Sequence, residues 1–162
     1  AREAGLSPFW AGVAYFVVNV AAMTARVFWG TVADRGGGTR RARTLREIGT
    51  IAAVGAALFG ASLHLGTPFV LLAAFVFAFG ALGWNGVLYL TAAERSGMEF
   101  AARAMGVAST VVFVLSFVAT PVVGAIAGRA GWDAVWFGLM GMAAIGALVA
   151  SRLGTPRQEA GA

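Results

Sequence analysis

Residues 26–45, RVFWGTVADRGGGTRRARTL, decide how this chain is read. A long apolar run ends in Asp34. Arg35, Arg40, Arg41, Arg43 and, just beyond, Arg46 follow it, with Gly36, Gly37 and Gly38 between the acid and most of the basic charge. Apolar sequence flanks the stretch on both sides. It therefore reads as a tight loop joining two membrane helices.

Composition supports that reading. The chain is 59% hydrophobic and 12% charged, with a mean hydropathy of +0.80. Soluble domains run at about 45–50% apolar and about 25% charged, so 162 residues of this composition cannot cover a soluble core with polar groups. An all-α integral membrane protein follows, because roughly 20 apolar residues of helix cross a bilayer core of about 30 Å. The net charge of +5 is not a nucleic-acid signal, since the arginines lie between apolar spans. With no cysteine, disulfides and thiolate metal sites are excluded. Every basic residue is Arg and none is Lys. Together with abundant Ala, Gly and Val, this suggests GC-rich coding and a bacterial source. The opening Ala1-Arg2-Glu3 suggests a fragment or a processed chain.

Five spans are expected, at about 9–33, 45–65, 68–93, 104–127 and 134–153. Ser7-Pro8 supplies an N-cap and a first-turn proline for the first. Within it Gly12, Tyr15, Asn19, Ala22, Arg26 and Gly30 share one helical face by their spacing. Thr44-Leu45-Arg46-Glu47 reads as a capping box opening the second span. A stripe of Gly49, Ala53, Ala56 and Gly60 there would admit a close neighbour. Thr67-Pro68 starts the third span by the same cap logic, and Gly80, Gly83 and Gly86 thin its middle. In the fourth, Ser116, Thr120, Gly124 and Gly128 form a packing seam, and Pro121 is expected to kink the helix. Gly131-Trp132-Asp133 reads as a turn with Asp133 as the next N-cap.

Five crossings place Arg35, Arg40, Arg41, Arg43, Arg46, Arg95, Arg103, Arg152 and Arg157 on one side, and only Arg2 and Arg129 on the other. By the positive-inside rule the first side is cytoplasmic, C-terminus included, in an inner or plasma membrane.

Asp34 lies at a helix C-terminus, against its own helix dipole, at a cost of about 0.3–1 kcal/mol. It is therefore a candidate for a remote partner, such as another helix's N-terminus, or simply a solvated acid balancing arginines. Arg26 lies about one turn inside the boundary and either snorkels to the surface or lines a path near Asn19. Asn85 and Tyr89, one turn apart, are the other path candidates. For both asparagines the plain alternative is a helix-to-helix hydrogen bond. His64, the sole histidine, has no partner at metal-ligand spacing and reads as interfacial. No metal or cofactor is expected. An intramembrane enzyme would need a nucleophile and a base together. Ser109, Thr110 and Ser116 lie on one span and His64 at the end of another, so no enzyme is expected.

Gly30-Thr31-Val32-Ala33-Asp34-Arg35, then Gly37 and Arg40-Arg41, resembles the signature loop of the major facilitator superfamily: Gly, three residues, Asp, a basic residue, any residue, Gly, then basic residues. Gly38-Thr39 sets the basic pair about two residues further on than that pattern. Gly83-Trp84-Asn85-Gly86, Ala93-Glu94 and Arg103-Ala104-Met105-Gly106 are similar to the family's tenth helix and the start of its eleventh. Pro121, Gly124, Gly128-Arg129 and Gly131 are similar to the eleventh helix's end. The resemblance implies a partial C-terminal bundle, the eighth to twelfth helices. An alignment to the second to sixth helices fits the third span and short tail less well. It also implies alternating-access transport of a small solute, with the absent N-terminal half and the bilayer as partners. It places Asn85 and Tyr89 towards the central cavity. It makes the first and third spans neighbours, so that Arg35 or Arg40 would pair with Glu94 in a cytoplasmic latch. The alternative is a self-contained oligomeric membrane scaffold held by its glycine seams.

Overall fold

The structure is a computed structural model and describes residues 7–35 and 37–153. It is all-helical, with no strand among the described residues. The helices are α1 (Pro8–Asp34), α2 (Gly37–Ser62), α3 (Thr67–Ala81), α4 (Trp84–Ser96) and α5 (Ala101–Leu153). Four helical segments are long and apolar enough to cross a membrane: Pro8–Asp34, Arg40–Ser62, Thr67–Ser96 and Ala101–Arg152.

Helix α1 starts as its cap predicts: Ser7 Oγ accepts the Trp10 N–H at 3.4 Å, with Pro8 in the first turn. It buries Ala21, Ala25, Trp29 and Ala33, a strict i, i+4 stripe. Helix α2 departs from expectation. It begins at Gly37, so the link from Asp34 shrinks to about two residues. The anticipated capping box is helix interior. Thr44 is fully buried, and its Oγ1 donates to Arg40 O one turn back at 3.0 Å rather than capping anything. Eight more residues of helix, 37–44, bring Arg40, Arg41 and Arg43 onto α2 itself. The α2–α3 hairpin turns through Gly66, at φ 100°, and Thr67 is a helical residue there, not the cap.

Helix α2 is sandwiched, and its small residues make both contacts possible. On one side a Cβ at Gly55 would lie 2.5 Å from Phe77 Cα, and one at Gly80 would overlap the Ala52 backbone. There α2 and α3 cross in direct backbone contact. On the other side a Cβ at Gly49 would meet Ala147 and one at Gly60 would meet Trp136 Cβ at 3.2 Å, so the two glycines of the predicted 49/53/56/60 stripe face the final arm of α5. Trp136 also stacks on Phe59, ring centroids 4.1 Å apart.

The pairs Gly49–Ala147 and Gly60–Trp136 run in opposite directions, so residues 132–153 are antiparallel to α2. The reversal that this requires falls at Gly131, the residue with non-helical angles inside α5 (φ 81°, ψ 170°). Pro121 does not break the helix: its missing N–H costs one bond, and the helical angles continue through it. Asp133, just past that reversal, lies 3.5 Å from His64 Nε2. The arm 101–130 turns the stripe Ala101, Ala104, Ala108 and Val112 partly inward, yet every residue from 113 to 122 is exposed. Gly124 and Gly128 face open space, so the anticipated seam meets no neighbour within this chain.

Candidate functional site: the charged junction of three helix ends

Three helix ends meet at the arginine-rich pole of the bundle: the C-terminus of α1, the first turns of α2 and the C-terminus of α4. Arg41 joins them. Its Nη2 lies 3.5 Å from Asp34 Oδ1, and its Nη1 pairs with Glu94 Oε2. The Arg41 side chain is only 10% exposed, against 64% for Asp34 and 46% for Glu94. A buried cation thus holds two carboxylates at the water boundary. Each carboxylate sits at the C-terminus of its own helix, where the dipole disfavours it, so the arginine offsets two local conflicts at once. The guanidinium Nε is buried without a hydrogen-bond partner.

The expected latch therefore forms with a different cation. Arg35 lies exposed in the turn after α1, and Arg40 is half-buried one position before the arginine that pairs. The helical register decides this. Arg41, Thr44, Leu45 and Ile48 recur at three and four residues, and Ile48 and Leu45 belong to the core cluster around Trp29. Arg41 is thereby aimed inward. The signal was available in the i, i+3, i+4, i+7 pattern, but placing residues 37–44 in a loop hid it. Asp34 likewise finds a side chain rather than a helix N-terminus. Gly30, the other signature residue, is half-buried with open space over its Cα. Arg43 pairs along its own helix with Glu47 at 3.7 Å.

The path candidates are not brought together. Asn19 is exposed, and its amide donates to Tyr15 O at 2.8 Å on the same helix. Arg26 is exposed on α1 without an ion pair among the described residues. Asn85 and Tyr89 are half-buried on α4, and Asn85 Oδ1 is fully shielded with no hydrogen-bond partner. The hydroxyls of Thr110 and Ser116 donate to carbonyls of their own helix, at 2.9 and 2.8 Å, and face no base. Among the described residues no cluster of His, Asp and Glu could hold a metal ion.

Sequence reasoning missed the junction of α3 and α4. The third span is not continuous: α3 stops at Ala81 and α4 starts at Trp84. Leu82 N donates the last helical bond, to Ala78 O at 3.0 Å. The next carbonyl, Phe79 O, accepts the Trp29 indole N–H at 3.0 Å. Gly83 makes room for that ring, because a Cβ there would lie 2.5 Å from Trp29 Cδ1. The three glycines at 80, 83 and 86 were the available signal.

No family model, curated protein or solved structure matches this chain.

Proposed function

We propose that this chain is one helical bundle of a secondary transporter of the major facilitator superfamily, corresponding to that family's eighth to twelfth helices, and that it moves a small solute by alternating access together with a second bundle. The observation that carries the reading is the buried Arg41 bridging Asp34 and Glu94. A cation held by the ends of two helices is a contact that can be made in one state of a carrier and released in the other. The resemblance of the segment from Gly30 to Arg41 to the family's signature loop supports the same assignment. On this reading α5 contributes two crossings, five in all, and the arginine-rich pole is cytoplasmic. The exposed face of the 101–130 arm and the exposed positions Asn19 and Arg26 are then surfaces for the second bundle and the path between the two. Asn85, with its shielded and unpartnered Oδ1, contributes a hydrogen-bond acceptor to that path.

A second reading draws on the same open face. Gly124 and Gly128 have nothing over them, and a second copy of the chain seated there would make a self-contained oligomeric scaffold. Reconstitution separates the two. The purified chain in liposomes is expected to show no saturable flux of organic anions, sugars or hydrophobic cations, because an alternating-access site lies between two bundles. It is also expected to remain monomeric by light scattering in detergent. Saturable flux from the chain alone, or a stable oligomer abolished by Gly124→Leu, would reject the half-carrier reading.

A further inference from the structure

We infer that α4 is a hinged arm: it pivots at Leu82–Gly83, Trp29 pins the pivot, and the Arg41–Glu94 pair latches the far end. Three observations carry this, none of which depends on transport. First, the backbone is broken in an apolar span. Leu82 (φ −113°, ψ −1°) and Gly83 (φ −91°, ψ −10°) stay on the helical side of the map but sit at its flattened edge, and the helical hydrogen-bond ladder lapses there between α3 and α4. Within a bilayer a freed carbonyl needs another donor, since no water reaches it. Second, the donor is a side chain from a different helix. Trp29 is 4% exposed and sits among Phe28 and Phe79, with ring centroids at 5.0 and 5.7 Å. Its indole N–H holds Phe79 O, and its ring edge fills the space over Gly83. The pin and the pivot therefore touch at two points, one polar and one steric. Third, α4 beyond the pivot packs on the bundle only through Val87 and Thr91 among its buried residues, and its end is held by an ion pair whose carboxylate is half exposed. From Gly83 to Glu94 the arm is about 16 Å long at 1.5 Å per residue. A tilt of about 20° at the pivot would carry Glu94 by roughly 6 Å, enough to break the pair, with no change inside α3.

Glycine at 83 follows from this arrangement. Lacking a Cβ, it lets a bulky ring from α1 lie against the junction of α3 and α4. Trp29 acts as a positioning residue for α4, and through α4 it sets whether Arg41 meets Glu94.

The chain has no native cysteine, so electron–electron distance measurements on pairs of spin labels test this directly in lipid nanodiscs. One label goes at Val54→Cys on the exposed side of α2, and the other at Met98→Cys just past α4, where the side chain is 97% exposed. A control pair uses Val54→Cys with Leu72→Cys on α3. The parent is expected to give one narrow distance for each pair. Trp29→Phe keeps an aromatic side chain but removes the N–H and the five-membered ring that lies over Gly83. It is expected to move at least a third of the 54–98 population to a new distance while the 54–72 pair stays unchanged. Adding Glu94→Gln is expected to move most of it. A 54–98 distribution in Trp29→Phe that superimposes on the parent's, with helical content retained, overturns the inference. Equal shifts in both pairs mean general loosening and overturn it too. Where Trp29→Phe loses helical content, Gly83→Ala decides, since its methyl displaces the ring from the other side. An unchanged 54–98 distance there overturns the inference.

Discussion

At the residue scale, the ion pairs that join three helix ends centre on Arg41, and their energetics follow from who is buried. Asp34 and Glu94 keep much of their hydration, so each pair taken alone is screened and worth on the order of 1 kcal/mol or less. The arginine is different. It is shielded, and deprived of one carboxylate it still has the other. We expect Arg41→Met to destabilise the folded chain more than either Asp34→Asn or Glu94→Gln, because it leaves both acids at unfavourable helix ends. We expect the Asp34→Asn/Glu94→Gln double variant to cost more than the sum of its singles, since only then is a buried charge stranded. Reversible unfolding in mixed micelles measures both. Strict additivity would remove Arg41 from this bridging role. The sequence marked the segment, both acids and Arg41 within the signature loop, but pointed to Arg35 or Arg40 as the partner of Glu94. Choosing among Arg35, Arg40 and Arg41 needs the helical register to within one residue, and that depends on where α2 begins.

At the element scale, the glycines separate into two kinds that sequence could not tell apart. Gly55 and Gly80 lie where the α2 and α3 backbones touch, and a methyl group at either must push helices apart. Overpacking of that kind costs about 1–3 kcal/mol, so Gly55→Ala and Gly80→Ala should lower the unfolding midpoint clearly. Gly124 and Gly128 have nothing above them. Alanine there should be neutral or stabilising by up to about 1 kcal/mol per site through helix propensity alone. The same unfolding assay on all four variants of the isolated chain checks the contrast. A large loss at Gly124 or Gly128 would mean that a neighbour covers the 101–130 arm. The sequence predicts one seam at 49/53/56/60 and another at 116/120/124/128, and only the fold shows that Gly49 and Gly60 meet α5 while Gly124 and Gly128 face open space. Pro121 teaches the same lesson in reverse. A proline forbids one hydrogen bond, but the sharp reversal needed an αL-side residue, and Gly131 supplies it ten positions on.

At the scale of the whole molecule, charge and packing agree on two poles. Arg41, Asp34 and Glu94 mark one, and the exposed His64–Asp133 pair marks the other. Sidedness is measurable with single cysteines and an impermeant thiol reagent applied to cells. Gly66 and Gly131, the natural turn positions, are poor sites because their positive φ strains any side chain. The exposed neighbours Leu65 and Trp132 serve instead, with Met98 for the opposite pole. External reagent is expected to label Leu65→Cys and Trp132→Cys and to spare Met98→Cys until the membrane is permeabilised. Labelling of Met98→Cys alone would invert the orientation read from the arginines.

The sequence by itself determined that this chain is helical with segments of membrane-spanning length, where most of its helices turn, and which short segment concentrates its charge. Those properties are sums over many residues, such as apolar length, charge asymmetry and cap chemistry at Ser7, and no single contact can overturn them. What only the tertiary structure decided is local and pairwise: that residues 37–44 are helix, that Arg41 rather than Arg35 or Arg40 bridges Asp34 and Glu94, and that the third span breaks at Leu82–Gly83. Each of these turns on a partner more than thirty residues away in the chain or on the neighbours that bury one helical face. Trp29 makes the reason plain. Its indole can hold open a break in another helix only once α1 and α3 are packed side by side, and nothing within residues 67–96 specifies that the missing hydrogen bond will be supplied from outside.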